Sequence, residues 1–388
     1  MNFDFSDELK MLREEARKFL RERKSVAAAR RVLESGESYD KKLWQEMASM
    51  GWIGAAIPEE YGGAGLGHLG LCVLAEELGA ALAPVPFSST AYLASEAILL
   101  AGTSAQKERY LPQLAKGALI GTLAHAEGPN APDPKRFSAN VAGGKITGTK
   151  QPVPDGALAD VAVVMAKSGD RQLSLFIVDL RGAGVAREAV ETIDPSRGHA
   201  RLVFSGAAAE PLGAPGEGLS LIDRLFDRAA VLFAFEQLGG AQAALDMAKA
   251  YALERYAFGR PIGSFQAIKH KLADIYVATE LARSNAYYGA WALANTAPDL
   301  PVAAAAARVS AAQAFDLAAK ENIQTHGGMG YTWAFDCHLY YRRAKLCRWR
   351  SAARGSGRIG SSASSSSATR ACSKAPSALR PESEAEMD

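Results

Sequence analysis

The sequence is poor in the features that mark several common protein classes. It has only four cysteines, Cys72, Cys337, Cys347 and Cys372, with no CxxC pair and no regular framework. That excludes a disulfide scaffold or a thiolate metal knot and leaves ordinary thiols in a reducing cytoplasm as the expectation. It has only six histidines, and His68, His199, His270 and His338 show no metal-ligand spacing, so no metal is expected. Neither sign of charge dominates: 44 Lys and Arg face 42 Asp and Glu, for a formal charge of +2. Nucleic acid and anionic membranes are thereby set aside as main partners, and any bound anion has to be met by local geometry. No uninterrupted apolar run is long enough to span a bilayer. The opening "MNFDFSDELKMLREEARKF" lacks the apolar block of a signal peptide.

What is present is ample apolar material, 48% of 388 residues, enough for a large core or several domains. From residue 1 to 118 the apolar spacing is mostly three and four, as in "ELKMLREEARKFL" and "GLCVLAEELGAALA", which predicts a helical domain broken by the loop "PEEYGGAGLG". Between 119 and 214 the period shortens to two, or to solid apolar runs such as "ADVAVVMAK" and "LSLFIVDL", and "KSGDRQ" between those two suggests a hairpin. This predicts a β domain, a small barrel or sandwich. Helical spacing returns over 215–345, where the alanine-rich run "VAAAAARVSAAQAFDLAAKENIQTHGG" stops at Gly327 and Gly328. From 346 to 388 the chain is rich in Ser, Ala, Arg and Gly with almost no apolar periodicity, which predicts disorder. A shift of reading frame near codon 346, or a native low-complexity tail, would each give that texture.

One stretch asks for more than turn chemistry. "ALERYAFGRPIGSFQAIKHKLADI", 252–275, reads as two helices joined by a turn that carries two arginines, two phenylalanines, two glycines and a proline. With the α, β, α order, this stretch resembles the helix-turn-helix signature of the flavin-dependent acyl-CoA dehydrogenases. "QTHGGMGYTWAFDCHLYYRRAK" resembles their second signature. "GWIGAAIPEEYGGAGLG", "AEELGAALAPVPF" and "ERYLPQLAKGALIGTLAHAEG" are similar to their N-terminal region in the same order. The resemblance covers 1 to about 345 and implies an α+β multi-domain fold: an N-terminal helical domain, a middle β domain and a C-terminal four-helix-bundle-like domain.

The resemblance also implies FAD as cofactor and an acyl-CoA thioester as substrate, undergoing α,β-dehydrogenation. It further implies an electron-transfer flavoprotein as electron acceptor, and a homodimer or homotetramer. Arg255 would hold the FAD diphosphate with charge and forked hydrogen bonds, and Gly259 would let the backbone come close. Phe258 would supply an apolar wall. Gln266, Gln324, Gly327 and Gly328 would complete that face, which serves the FAD of a neighbouring subunit. His326 is expected beside it as a wall of the cofactor site. Glu127 and Gly128 are what survives of the family's flavin loop in "AHAEGPNAPDP", and Pro152 and Pro154 occupy positions of a flavin-contacting tryptophan and threonine, where proline offers no donor.

The reaction needs a carboxylate close to the substrate's α carbon. Counted back from Phe258, Phe226 and Asp227 fall on family positions that meet the CoA portion. Ala229 stands where some members keep their glutamate, and Ala230 replaces a frequent arginine. The family's other glutamate position falls in the aberrant tail. Glu236 is the remaining candidate base on that helix, on the same stripe as Ala229 to within about 20° but roughly 10 Å further along the axis. Its alternative is an ion pair with a neighbouring cation. A second reading follows from these gaps: a weakly catalytic or non-catalytic subunit that helps bind a partner's FAD in a heteromer.

Overall fold

A computed structural model describes residues 5–128, 134–169 and 172–355, with the backbone alone described for 134 and 348–355. The first six helices are α1 (Asp7–Glu22), α2 (Ser25–Ser35), α3 (Lys41–Ser49), α4 (Gly67–Ala80), α5 (Glu96–Ala101) and α6 (Ser104–Ala115). Their starts follow local chemistry. Ser6 and Asp40 accept from the backbone N–H three residues on, and Thr103 with Gln106 forms a reciprocal capping box. Between α4 and α5 the chain makes a buried π-helical run, Ser88–Ser95, which the apolar spacing does not announce.

Eight strands follow: β1 (Gly121–Ala124), β2 (Asn140–Ala142), β3 (Lys145–Pro154), β4 (Val161–Ser168), β5 (Gln172–Asp179), β6 (Val185–Val190), β7 (His199–Ala208) and β8 (Glu210–Leu212). They form one sheet in the order β6-β7-β3-β2-β4-β5-β8, with β1 parallel to β4. β4 and β5 pair antiparallel from Val161 opposite Asp179 to Ser168 opposite Gln172, the expected hairpin. Among the described residues β6 and β8 end the sheet, so it does not close into a barrel.

The C-terminal region is built on α7 (Gly218–Glu254), which packs against α4, α8 (Gln266–Ala294) and α9 (Leu300–His326). Alanine lines the shared faces, Ala241, Ala244, Ala248, Ala304, Ala307 and Ala311 being fully buried, and lets the helices approach closely. At the α4–α7 crossing the backbones nearly touch. A Cβ on Gly239 would lie 1.8 Å from the Glu76 carbonyl oxygen, and one on Gly79 would lie 1.9 Å from that of Glu236. The last helix, α10 (Cys337–Gly355), runs through the boundary expected at 345 because Ala and Arg are good helix formers. The remainder of the expected tail, 356–388 with Cys372, lies outside the described residues. No helix among the described residues is long and apolar enough to cross a membrane, and none of their His, Cys, Asp and Glu groups could hold a metal.

Candidate functional site

α7 carries the first group of expected residues. Phe226 is half-buried with its ring edge-on to that of His125, 4.9 Å between centroids, joining the helix to the end of β1. Asp227 is half-buried beside it, while Ala229 and Ala230 are buried. Arg228 reaches Glu96 Oε2 at 3.3 Å, and His68 Nε2 lies 2.8 Å from the other oxygen of that buried carboxylate. Burial alone would raise the Glu96 pKa, but His68 and Arg228 outweigh it and hold it below the usual range.

Two turns beyond Ala229, Glu236 is only 5% exposed, and its Oε1 accepts from Arg197 Nη1 at 2.7 Å. Arg343 of α10 stands 3.8 Å from the same oxygen and donates to Asp194 Oδ2 at 2.5 Å and to Ser196 Oγ at 3.0 Å. Arg197 also donates to Ser88 Oγ, and next to it Ser89 Oγ donates to Asp155 at 2.6 Å. The ion pair weighed in the sequence as the alternative for Glu236 is therefore present. Burial opposes the Arg197 charge, but Glu236 and Asp155 outweigh it and raise its pKa. Sequence reasoning missed Arg197 and Arg343, which sit in a loop and on the last helix, 39 and 107 positions from Glu236.

In the β domain, a cavity of about 350 Å³ is lined by Gln151, Pro152, Thr192, His199, Lys345 and Leu346, among others. Pro152 thus presents an apolar wall there, while the Pro154 carbonyl accepts from Thr122 Oγ1 at 2.5 Å. The Glu127 carboxylate is engaged within the sheet: it accepts from Lys150 Nζ at 2.7 Å and from the Ser138 and Ala139 N–H groups at 2.6 and 3.1 Å. Lys150 is fully buried against the Phe137 ring, and burial brings its pKa down to about 8. Gly128 is half-buried with open space where a Cβ would stand; residues 129–133 of the altered loop lie outside the described residues.

The stretch read as a turn between helices is a small β-hairpin. α7 ends at Glu254 with Arg255 as its extended cap, β9 (Tyr256–Ala257) pairs with β10 (Arg260–Pro261), and Phe258 and Gly259 form the tip with φ of 54° and 78°. Two positive φ values in a two-residue loop suit a tightly twisted hairpin, and glycine takes the second at no steric cost. Phe258 is 94% exposed, Arg255, Gly259 and Gln266 are exposed, and Arg260 lies over the Phe265 ring at 4.1 Å.

At the end of α9, Gln324, Gly327 and Gly328 are exposed too. Tyr251 and His326 stack at 4.0 Å between centroids, with Phe335 edge-on to both, so the two ends lie side by side. His326 is buried in that stack, with Nδ1 2.8 Å from the Asn322 carbonyl oxygen, and burial lowers its pKa. A Cβ placed on Gly259, Gly327 or Gly328 would meet nothing in this chain.

A family profile for the acyl-CoA dehydrogenase N-terminal domain matches residues 6–118, and one for the C-terminal domain matches 216–351. The chain is 38% identical over 341 residues to acyl-CoA dehydrogenase IpdE2 of Mycobacterium tuberculosis, covering 87% of this chain and 91% of that protein. The chain belongs to the acyl-CoA dehydrogenase family. Among solved structures it is similar to a Tcur3481-Tcur3483 steroid ACAD variant, with a TM-score of 0.78, 32% identity and coverage of 88% and 92% of the two chains. It is also similar to the ChsE4-ChsE5 complex from Mycobacterium tuberculosis, with a TM-score of 0.81, 27% identity and coverage of 90% and 94%.

Acyl-CoA dehydrogenases are FAD-dependent oxidoreductases. The hairpin end of this chain fits such a cofactor: an unshielded guanidinium, bare glycine backbone and an uncovered aromatic ring share one surface. The cavity beside Pro152 fits less fully, since proline gives contact area without a hydrogen-bond donor.

Proposed function

We propose that this chain works in the FAD-dependent α,β-dehydrogenation of an acyl-CoA thioester, with the 255–260 hairpin and the end of α9 holding the FAD diphosphate of a neighbouring subunit. One observation carries the reading: both signature segments lie exposed on one end of the bundle, locked together by the Tyr251–His326 stack. Arg255 stands 19 residues beyond Glu236, so the helix puts roughly 28 Å between them. The hairpin therefore serves a cofactor other than the one nearest Glu236. Exposed apolar groups along α8 (Tyr276, Val277, Leu281) and α9 (Val302, Val309) support a second chain packing on these helices, as homodimer, homotetramer or heteromer.

FAD held there would supply the acceptor for the hydride from the substrate's β carbon, and an electron-transfer flavoprotein would take the electrons on. Phe226, Asp227, Ala229 and Ala230 line the thioester's approach along α7. Glu236 is the candidate base, and its carboxylate is held by Arg197 Nη1 at 2.7 Å.

That engagement, with Ala229 at the family's helix position, favours a second reading in which the base belongs to a homologous partner and this chain contributes the hairpin. Glu236→Gln separates the two. Loss of flavin reduction by acyl-CoA assigns the base to this chain, and an unchanged reductive half-reaction assigns it to the partner.

The shared core of both readings is tested at Arg255. Losing a charge-assisted phosphate contact costs about 1.5–3 kcal/mol, so Arg255→Gln is expected to weaken flavin retention by roughly ten- to hundredfold. Flavin absorbance per chain after gel filtration measures it, and an unaltered flavin content would sink the proposal.

A further inference from the structure

The cluster around Glu236 has more hydrogen-bond donors than it uses. Among the described residues Arg197 Nε, Arg343 Nη1 and the Tyr92 hydroxyl are buried without a hydrogen-bond partner, although their side chains are at most 5% exposed. Each such donor left unmet costs the fold stability. Three within one cluster is more than a merely structural ion pair explains, because ion pairs persist in cores by satisfying their own donors. Tyr92 belongs to the same cluster: burial first, and then the Glu236 carboxylate, push its hydroxyl well above its ordinary pKa, so it stays protonated and able to donate.

The cluster also lies where an acyl group would be heading. Glu236 shares with Ala229 the stripe of α7 that meets the thioester, and Phe233, between them on that stripe, packs edge-on against Tyr92 at 5.3 Å. From the other side, the cavity wall formed by Ile193, His199 and Lys345 borders Asp194, Arg197 and Arg343 in the chain, and His199 Nδ1 lies 3.1 Å from the Arg197 carbonyl oxygen.

Resting on the acyl-CoA reading above, in its second form with the base supplied by the partner, we propose that the distal part of the acyl substrate carries a neutral oxygen, a ketone or a hydroxyl, which is received by Tyr92, Arg197 and Arg343. A neutral acceptor fits better than a carboxylate. The cluster already sets the carboxylates Asp155, Asp194 and Glu236 against the two guanidiniums Arg197 and Arg343, so a further negative charge would meet an excess of its own sign. An all-hydrocarbon tail would leave the three donors buried and unmet, the situation in which a polar site rejects an apolar analogue.

The test is calorimetric titration of the full chain, in the assembly in which it purifies, with three CoA thioesters of equal length. One carries an all-hydrocarbon acyl group, one a ketone near its distal end, and one a terminal carboxylate. The ketone-bearing thioester is expected to bind about tenfold or more tightly than the hydrocarbon one. Tyr92→Phe should cut that ratio about fivefold without lowering the melting temperature, since it removes a hydroxyl that nothing in the free protein satisfies. Equal binding of ketone and hydrocarbon overturns the inference, as does tightest binding of the carboxylate or a ratio untouched by Tyr92→Phe. Failure of every CoA thioester to bind overturns the acyl-CoA reading itself, and this inference with it.

Discussion

Arg197 and Arg343 give Glu236 and Asp194 the partners that let carboxylates survive in a core, and the arrangement predicts how the protein responds to acid. Burial alone would raise Asp194, but Arg343, Ser196 and Arg197 outweigh it and hold its carboxyl below the ordinary value. Glu96 and Glu127 are depressed in the same sense. A depressed folded-state pKa contributes stability that is complete above the ordinary carboxylate value, near pH 4, and is lost as pH falls through the folded one. Urea midpoints are therefore expected to decline gently below about pH 6.5, where the unfolded chain protonates His326 and the folded one, with that pKa lowered by burial, does not, and to fall steeply below pH 4. Asp194→Asn leaves Arg343 buried without its nearer counter-charge, and is expected to cost about 3 kcal/mol at pH 7 and to flatten the acid limb. An unchanged urea midpoint in that variant would contradict the buried pairing. None of this was legible in the sequence. Glu236 could be singled out as an acid in an apolar helix, but Arg197 lies in an irregular loop with no periodicity to announce which way it faces.

Among the elements, the α4–α7 crossing sets the position of everything α7 carries. Gly79 abuts the carbonyl of Glu236, and Gly239 that of Glu76, so neither helix has room for a methyl group. Gly239→Ala is expected to cost about 3 kcal/mol by overpacking, measured by chemical denaturation, and to disturb the Glu236 to Arg197 contact at the same time. A neutral effect would mean that the helices slide apart freely. Helical periodicity announced α4 and α7 well, because apolar spacing reports burial along one helix. It could not announce which glycines touch, since closeness between helices is a property of two segments at once. The hairpin after α7 escaped for another reason. Its tip is Phe-Gly rather than the usual Asn-Gly or Asp-Gly, and its strands are only two residues long, too short for an alternating pattern.

At the level of the whole molecule, the α, β, α order and the family were legible because each depends on long, strongly patterned segments, as the profile matches over 6–118 and 216–351 agree. The junction of the three regions was not legible, since Ser88, Arg197, Glu236 and Arg343 meet across most of the chain's length. α7, 37 residues long, runs unbroken from that junction at its middle to the hairpin at its end. A helix of that reach belongs to two catalytic centres at once, one at its waist and one at its tip. Two crippled versions of the chain, Glu236→Gln and Arg255→Gln, should then rescue each other when co-expressed. In a symmetric pair of unlike mutants, one centre inherits both defects and the other inherits neither, so a random mixture should recover about a quarter of the parental turnover. Recovery of nothing would mean that the chain does not complete a centre with a copy of itself, and that its true complement is a different protein.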